Sequence, residues 1–350
     1  MRSGRWRLLV PVVLIAVAVY LIWWRGPDWH QVGEAFDAVR WRWVVLAVGL
    51  NLVSVVVRSV AWNTVIRQAI APPRPGFRLV FSAFCVGLFA NAVLPGRVGE
   101  IGRVAVLVRR LPRRKGIWAT LIGTVFAHRV FDLFPTIALV IWVLLAAKVP
   151  HWALATLWGV LTLGLTAFLL AMISARRQNA LAIEGLGRVR RVLVEVRRGL
   201  AIMRAPLPAA TAVTFQGLGW LCQLLAVWTT MNAFRIHQPL AASGLVLLLV
   251  NVISVFPFWP GNIGLVQAGI AVSLSQYGVG YARGFAFGIG LQAIEASVGI
   301  GIGTVFLARE GLSYGSLKET IEPGEGRDDD ELPGREQIEE PRAARARMPG

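Results

Sequence analysis

Apolar runs of 17 to 33 residues, separated by short arginine-rich stretches, set the pattern of this chain. The runs are Leu8–Trp24, Val44–Trp62, Phe77–Leu94, Ile117–Val149, Trp152–Ser174, Pro208–Phe234, Leu240–Trp259 and Phe285–Leu307. A helix needs about 20 such residues, at about 1.5 Å rise each, to cross a ~30 Å hydrocarbon core. The pattern therefore predicts an all-α polytopic membrane protein. Trp23-Trp24-Arg25 follows the first run where a signal peptide would carry a small-residue cleavage site, so that run reads as an uncleaved span.

Arginine then orients the loops, because cytoplasmic loops carry the excess of Lys and Arg. Arg2, Arg5 and Arg7 precede the first run, and Arg67, Arg74 and Arg78 follow the second. Five bases lie between Arg109 and Lys115. All three groups belong inside, so an even number of crossings must separate residues 78 and 109. About 30 residues cannot make two full spans. A re-entrant hairpin fits: Phe77–Leu94 descends, a turn follows, and Ile101–Val108 climbs back. Leu240–Trp259 and Leu265–Tyr277 read as a second hairpin entered from the opposite side. Loop 25–42 belongs outside, and Arg58 snorkels to the inner headgroups from near the end of its span.

The expectation is six transmembrane helices plus two re-entrant half-helix hairpins arranged as an inverted repeat. Residues 1–149 form the first repeat and 150–310 the second, with a basic cytoplasmic segment at 176–204. Residues 311–350 form a disordered acidic tail. Both termini are expected in the cytoplasm, and the protein in the cell membrane.

Two matched interruptions carry the functional signal. The first is Pro95-Gly96-Arg97-Val98-Gly99-Glu100-Ile101-Gly102-Arg103; the second, 165 residues later, is Pro260-Gly261-Asn262-Ile263-Gly264-Leu265-Val266-Gln267. Proline and glycine end helices, and bare backbone survives at membrane depth only inside protein or beside water. Matched breaks in two halves of a membrane chain point to a transporter-type site at the repeat interface.

Composition narrows the class. The chain is 56% hydrophobic and 16% charged, against about 25% charged in soluble domains. Its net charge of +17 does not indicate nucleic acid, because the bases sit in short loops between apolar runs. Cys85 and Cys222 fall inside apolar runs and read as small buried hydrophobes, with no disulfide or metal implied.

The candidate residues are the charges that the apolar runs contain. At the first break, Arg97, Glu100 and Arg103 either bind a headgroup or pin the hairpin as an Arg–Glu–Arg cluster. Unpaired backbone N–H groups near Val98 would favour an anion there. On the next run, Arg129 and Asp132 are i, i+3 and His128 and Asp132 are i, i+4, so both can meet the aspartate. A charge at the bilayer centre costs at least about 2.5–3.5 kcal/mol, so these groups face protein or water. Glu295 lies at the middle of the last run, with Gln292 one turn earlier. Arg129 and Glu295 follow their repeat prolines by 34 and 35 residues, which suggests a shared site. Asn262 is the polar residue of the second break. No H-E-x-x-H, G-x-S-x-G, Cys/His metal spacing or paired-carboxylate motif occurs, so neither an enzyme nor a cofactor is expected.

The stretches L-P-G-R-V-G-E-I-G-R-V-A-V-L-V-R-R (94–110), A-H-R-V-F-D (127–132) and P-F-W-P-G-N-I-G-L-V-Q-A (257–268) resemble the lysylphosphatidylglycerol synthase transmembrane-region family. The likeness spans roughly residues 8–310. It implies a polytopic fold that moves a lipid, often an aminoacylated phospholipid or lipid-linked sugar, between leaflets. Bifunctional members add an aminoacyl-transferase domain, where this chain continues into a short acidic stretch, so the resemblance implies translocation rather than synthesis. Many members carry a charged turn after the second break; Gly264-Leu265-Val266-Gln267 is neutral.

The sequence thus reads as a flippase-like transporter of an anionic or zwitterionic phospholipid or lipid-linked headgroup. Arg97, Glu100, Arg103, Arg129, Asp132, Asn262 and Glu295 are its expected substrate-binding residues. Its partners would be membrane lipids, with anionic headgroups held by the basic cytoplasmic loops. The alternative is a non-transporting membrane scaffold or regulator.

Overall fold

The computed structural model describes residues 27–94, 98–112, 116–176, 202, 205–254 and 262–311. The expected first span, Arg97, nearly all of the basic segment 176–204 and the tail from residue 312 lie outside the described residues. Those residues form ten helices and no strand: α1 (Trp29–Asp37), α2 (Trp41–Ala69), α3 (Phe77–Val93), α4 (Gly99–Arg110), α5 (Ile117–Ala146), α6 (His151–Arg176), α7 (Pro206–Ala233), α8 (Leu240–Ile253), α9 (Leu265–Ser275) and α10 (Tyr281–Arg309).

Four of them, α2, α5, α7 and α10, are long and apolar enough to cross a membrane. Each has 28 to 30 residues, or about 42–45 Å of helix, which exceeds a ~30 Å core. Leu145 on α5, Leu163 on α6 and Val305 on α10 are 65–83% exposed, as lipid-facing side chains are. The stretch 25–42 departs from the loop that charge balance suggests. Asp28 caps α1 by accepting from the His30 and Gln31 backbone N–H groups, and Val32 and Ala35 are buried. Phe36 and Trp29 meet Phe234 and Phe285 edge-on. Nine residues with so narrow a buried face fall below the length at which an apolar run stands out.

The order α2, α3–α4, α5 recurs as α7, α8–α9, α10, shifted by 165 residues with helix boundaries agreeing closely. The two copies meet directly. The Ser54 hydroxyl donates to the Gly219 carbonyl at 3.0 Å and Arg58 Nη1 donates to Gln223 Oε1 at 3.4 Å, both pairs being 165 residues apart. Equivalent residues touch one another only on the axis that relates two copies, as at a two-fold interface. The helices run antiparallel: Arg40 N donates to Ala233 O, and Trp43 packs edge-on against Trp228. Gly219 is required at the crossing because a Cβ there would collide with the stem of Arg58. The halves are therefore inverted copies joined through α2 and α7.

Each short pair is an antiparallel helical hairpin. At one end of the bundle Glu310, just past α10, accepts from Ser82 in the first turns of α3 and from Arg110 at the end of α4. At the other end Gln238, before α8, donates to the Tyr277 carbonyl after α9, and the Tyr277 hydroxyl accepts from Lys148 N. The hairpins thus open at opposite ends. Both are wedged between α5 and α10, and the contacts close a circuit. Gly299 and Gly303 place α10 against Leu88, Ala92 and Phe89 of α3, and Gly87 approaches Gly99 of α4. Glu100 of α4 pairs with Arg129 of α5, and Gly244 of α8 seats Trp142 and Val143 of α5. Gly269 of α9 meets Ile253 of α8, and Gly284 and Gly288 of α10 meet Ala271 and Gln267 of α9. Helices in lipid gain little from burying apolar area against each other, so close approach at small residues and polar contacts hold such a bundle.

Candidate functional site

The end of the first hairpin builds the site. Asn91 of α3 lies across from the start of α4, and its Oδ1 accepts the Gly99 N–H at 2.9 Å. A Cβ at Gly99 would strike both the Gly87 carbonyl and the Asn91 amide, so only glycine allows this approach. The N–H groups at this helix start are thus not all free for an anion, as the sequence suggested; Asn91 takes that of Gly99. With α4 so placed, Glu100 and Arg103, one turn apart, turn toward α5 and α2.

Five ionised side chains from three helices then form one chain of ion pairs. Arg58 Nη2 lies 3.3 Å from Asp132 Oδ1, and Asp132 Oδ2 lies 3.2 Å from Arg129 Nη1. Arg129 Nη2 pairs with Glu100 Oε1, and Glu100 Oε2 pairs with Arg103. Asp132 Oδ1 also accepts from Gln216 Nε2 and, at 2.9 Å, from Trp220 Nε1, both on α7. The Arg103 guanidinium lies over Trp62 at 4.6 Å and Phe84 at 5.7 Å, in cation–π contact. His128 meets Phe84 edge-on, and no hydrogen bond joins it to Asp132. Three guanidiniums thus face two carboxylates.

Burial grades along this chain. The Arg103 side chain is 5% exposed and that of Asp132 11%, whereas that of Arg129 is 43% exposed. At the sealed end Arg58 Nε, Arg103 Nε, His128 Nδ1 and Gln216 Oε1 have no hydrogen-bond partner among the described residues. A polar atom buried without a partner typically costs about 1–3 kcal/mol, so such clustering belongs to a working site more readily than to a packing device.

The structure thus joins Glu100, Arg103, Arg129 and Asp132, as the sequence suggested. Arg97 lies outside the described residues. Glu295 does not join them. It is half-buried and makes no hydrogen bond or ion pair among the described residues. The Leu88 and Ala92 side of α3 faces α10, while Gly87 and Asn91 face α4. A shared Arg129–Glu295 pair is therefore replaced by Arg129–Glu100. Asn262 holds a left-handed backbone (φ 46°) and donates to the Ile253 carbonyl at 2.9 Å, tying the second hairpin across its break.

Arg58, Gln216 and Trp220 are additions, and Arg58 is a correction. Ending the second span at Trp62 made Arg58 look terminal, but α2 continues to Ala69 and puts it in the middle. Its head turns to Asp132 rather than to headgroups. The 165-residue shift carries the signal that could have found it, since it pairs Arg58 with polar Gln223. The same shift replaces Glu100, Arg103 and Asp132 by Leu265, Ala268 and Ser297. The second break is accordingly neutral: Gly264 N donates to Gln267 Oε1 at 2.6 Å, and Gln267 Nε2 donates to Gln292 Oε1 at 2.5 Å.

Similar proteins agree with a membrane role. A UPF0104 membrane protein of Methanothermobacter thermautotrophicus is 26% identical over 303 residues, covering 79% of this chain and 86% of that protein. One from Pyrococcus horikoshii is 23% identical over 167 residues, 48% of each, so the match spans about half of that relative's length. A third, from Methanocaldococcus jannaschii, is 22% identical over 57% of this chain and 84% of its own. No solved structure matches. Residues 8–303 match the family described as the lysylphosphatidylglycerol synthase TM region, a match that covers both breaks, the ion-pair chain and most of α10. The protein belongs to the lysylphosphatidylglycerol synthase transmembrane-region family, a family of integral membrane proteins.

Proposed function

We propose that the protein moves a phosphate-bearing lipid headgroup, anionic or zwitterionic, between the leaflets of the cell membrane. In this reading both hairpins are re-entrant, the chain crosses six times, and the arginine-rich end faces the cytoplasm. The observation that carries it is the ion-pair chain at the first break, which among the described residues joins three guanidiniums to two carboxylates and is most exposed at Arg129. Charges at membrane depth that serve packing alone are best sealed and balanced. Here the open member is the arginine, whose planar fork suits a phosphodiester.

The exchange has simple chemistry. An entering phosphate takes Arg129 from Glu100, and Glu100 keeps Arg103, so no charge is left bare at any point. Arg58 and Asp132 stay paired and hold α2, α5 and α7 together while this happens. The inverted halves supply a way to present the site to each leaflet in turn. The protein acts as a carrier, with no bond made or broken in the lipid.

The test is fluorescent phosphatidylglycerol in proteoliposomes, with dithionite bleaching only the outer leaflet. The wild-type chain should expose the inner pool, and Arg129→Gln should slow that exposure at least about tenfold while folding normally, a loss of about 1.4 kcal/mol in headgroup contact. Wild-type protein that leaves the inner pool protected sinks the proposal and favours a membrane scaffold.

A further inference from the structure

Glu310 follows α10 directly, yet its side chain is only 9% exposed. Its Oε1 accepts the Ser82 hydroxyl of α3 at 2.6 Å, and its Oε2 accepts Arg110 Nε of α4 at 3.0 Å. Beside it lies a cavity of about 180 Å³ walled by Val106, Arg109, Arg110 and Glu310. Two guanidiniums and one carboxylate therefore share a small space at the open end of the first hairpin. Arg109 makes no ion pair or hydrogen bond among the described residues.

The bonding of Arg110 gives the space a preference. Glu310 engages only its Nε, a single-point contact, so both Nη groups remain for a ligand. A guanidinium held by Nε and offering its Nη pair is oriented for the two oxygens of a phosphodiester. Val106 closes the floor of the space, so its lining is mostly the polar heads of Arg109, Arg110 and Glu310. Arg110 is also seven residues beyond Arg103, two turns along the same face of α4 and about 10 Å toward the bundle end. The cavity is thus separate from the ion-pair chain but stands on the same helix.

We propose that this cavity binds the phosphodiester of an anionic phospholipid from the adjoining leaflet, with Arg109 and Arg110 as its ligands and Glu310 as the residue that positions Arg110. The inference needs only that the chain lies in a membrane, so it holds or fails independently of lipid transport.

The test is equilibrium binding of short-chain fluorescent phosphatidylglycerol to the full chain in neutral detergent, with phosphatidylcholine and inorganic phosphate as competitors. Saturable binding, weakened about tenfold or more by Arg109→Gln, is expected. Because Arg109 has no partner among the described residues, that variant should keep the wild-type unfolding midpoint. Glu310→Gln should weaken binding less, since it loosens Arg110 without removing a ligand; an effect larger than that of Arg109→Gln overturns the assigned roles. Competition by phosphatidylcholine as strong as by unlabelled phosphatidylglycerol overturns the anionic preference. Competition by inorganic phosphate at matched concentration would make this a small-anion site and overturn the lipid assignment. Unchanged affinity in Arg109→Gln overturns the site itself.

Discussion

Asp132 gathers three donors on one oxygen, from Arg58, Gln216 and Trp220, and a fourth on the other from Arg129. Asp132→Ala would strand Arg58 in a buried position, and losing one partner of a buried pair costs about 3–5 kcal/mol. The expected result is a large fall in the unfolding midpoint in detergent and poor folded yield. Replacing Arg58 by Met and Asp132 by Leu together should recover much of it, because no charge is then left bare. Glu295→Gln should behave in the opposite way. With no partner to lose among the described residues, its unfolding midpoint should not fall, and a drop comparable to that of Asp132→Ala would show a contact beyond those residues. At this scale the sequence singled out Asp132 with Glu100, Arg103 and Arg129, which the structure links by ion pairs. It could not point to Gln216 or Trp220, since nothing local distinguishes a polar residue facing an ion from one facing a neighbouring helix.

Helix pairs carry a second set of expectations. The tip of the first hairpin depends on the approach of Gly87 to Gly99, where a Cβ on Gly99 meets the Gly87 carbonyl. Gly99→Ala should push α4 off α3 and cost about 1–3 kcal/mol, the range for overpacking. Gly49, in α2 with open space around its Cα, is the control. Gly49→Ala should be neutral or stabilising by up to about 1 kcal/mol, from helix propensity. Comparable losses in the two variants would mean that the hairpin is not tightly packed. The two breaks were legible in the sequence because Pro and Gly interrupt an apolar run so visibly. The boundaries of α2 were not. Asn63, Thr64, Arg67 and Gln68 look like a loop, but α2 runs on through them to Ala69, and a helix of 29 residues is longer than a ~30 Å core requires.

For the whole molecule, the hairpin geometry makes a prediction about sidedness. Ser82 and Arg110 both reach Glu310, while Gln238 and Lys148 both reach Tyr277. Single cysteines at Arg74 and Pro112 should therefore react from one side of the membrane, and those at Lys148 and Gln238 from the other. Labelling of Arg74 and Pro112 from opposite sides would turn the first hairpin into two crossings and break the inverted relation. Loop arginines and run lengths alone led to that grouping, because the cost of placing charge in lipid acts on each segment separately and so is written locally. The same locality accounts for the helical class, the two breaks and the cluster around Arg129. The tertiary structure alone decided how these parts meet. Ser54 and Arg58 meet their own counterparts 165 residues away, Arg129 takes Glu100 rather than Glu295 as its partner, and Glu310 closes the end of a hairpin from which it is far removed in sequence. Such contacts depend on which faces of distant helices come together, and apolar periodicity in a membrane helix records little of that, because lipid and protein neighbours are equally apolar.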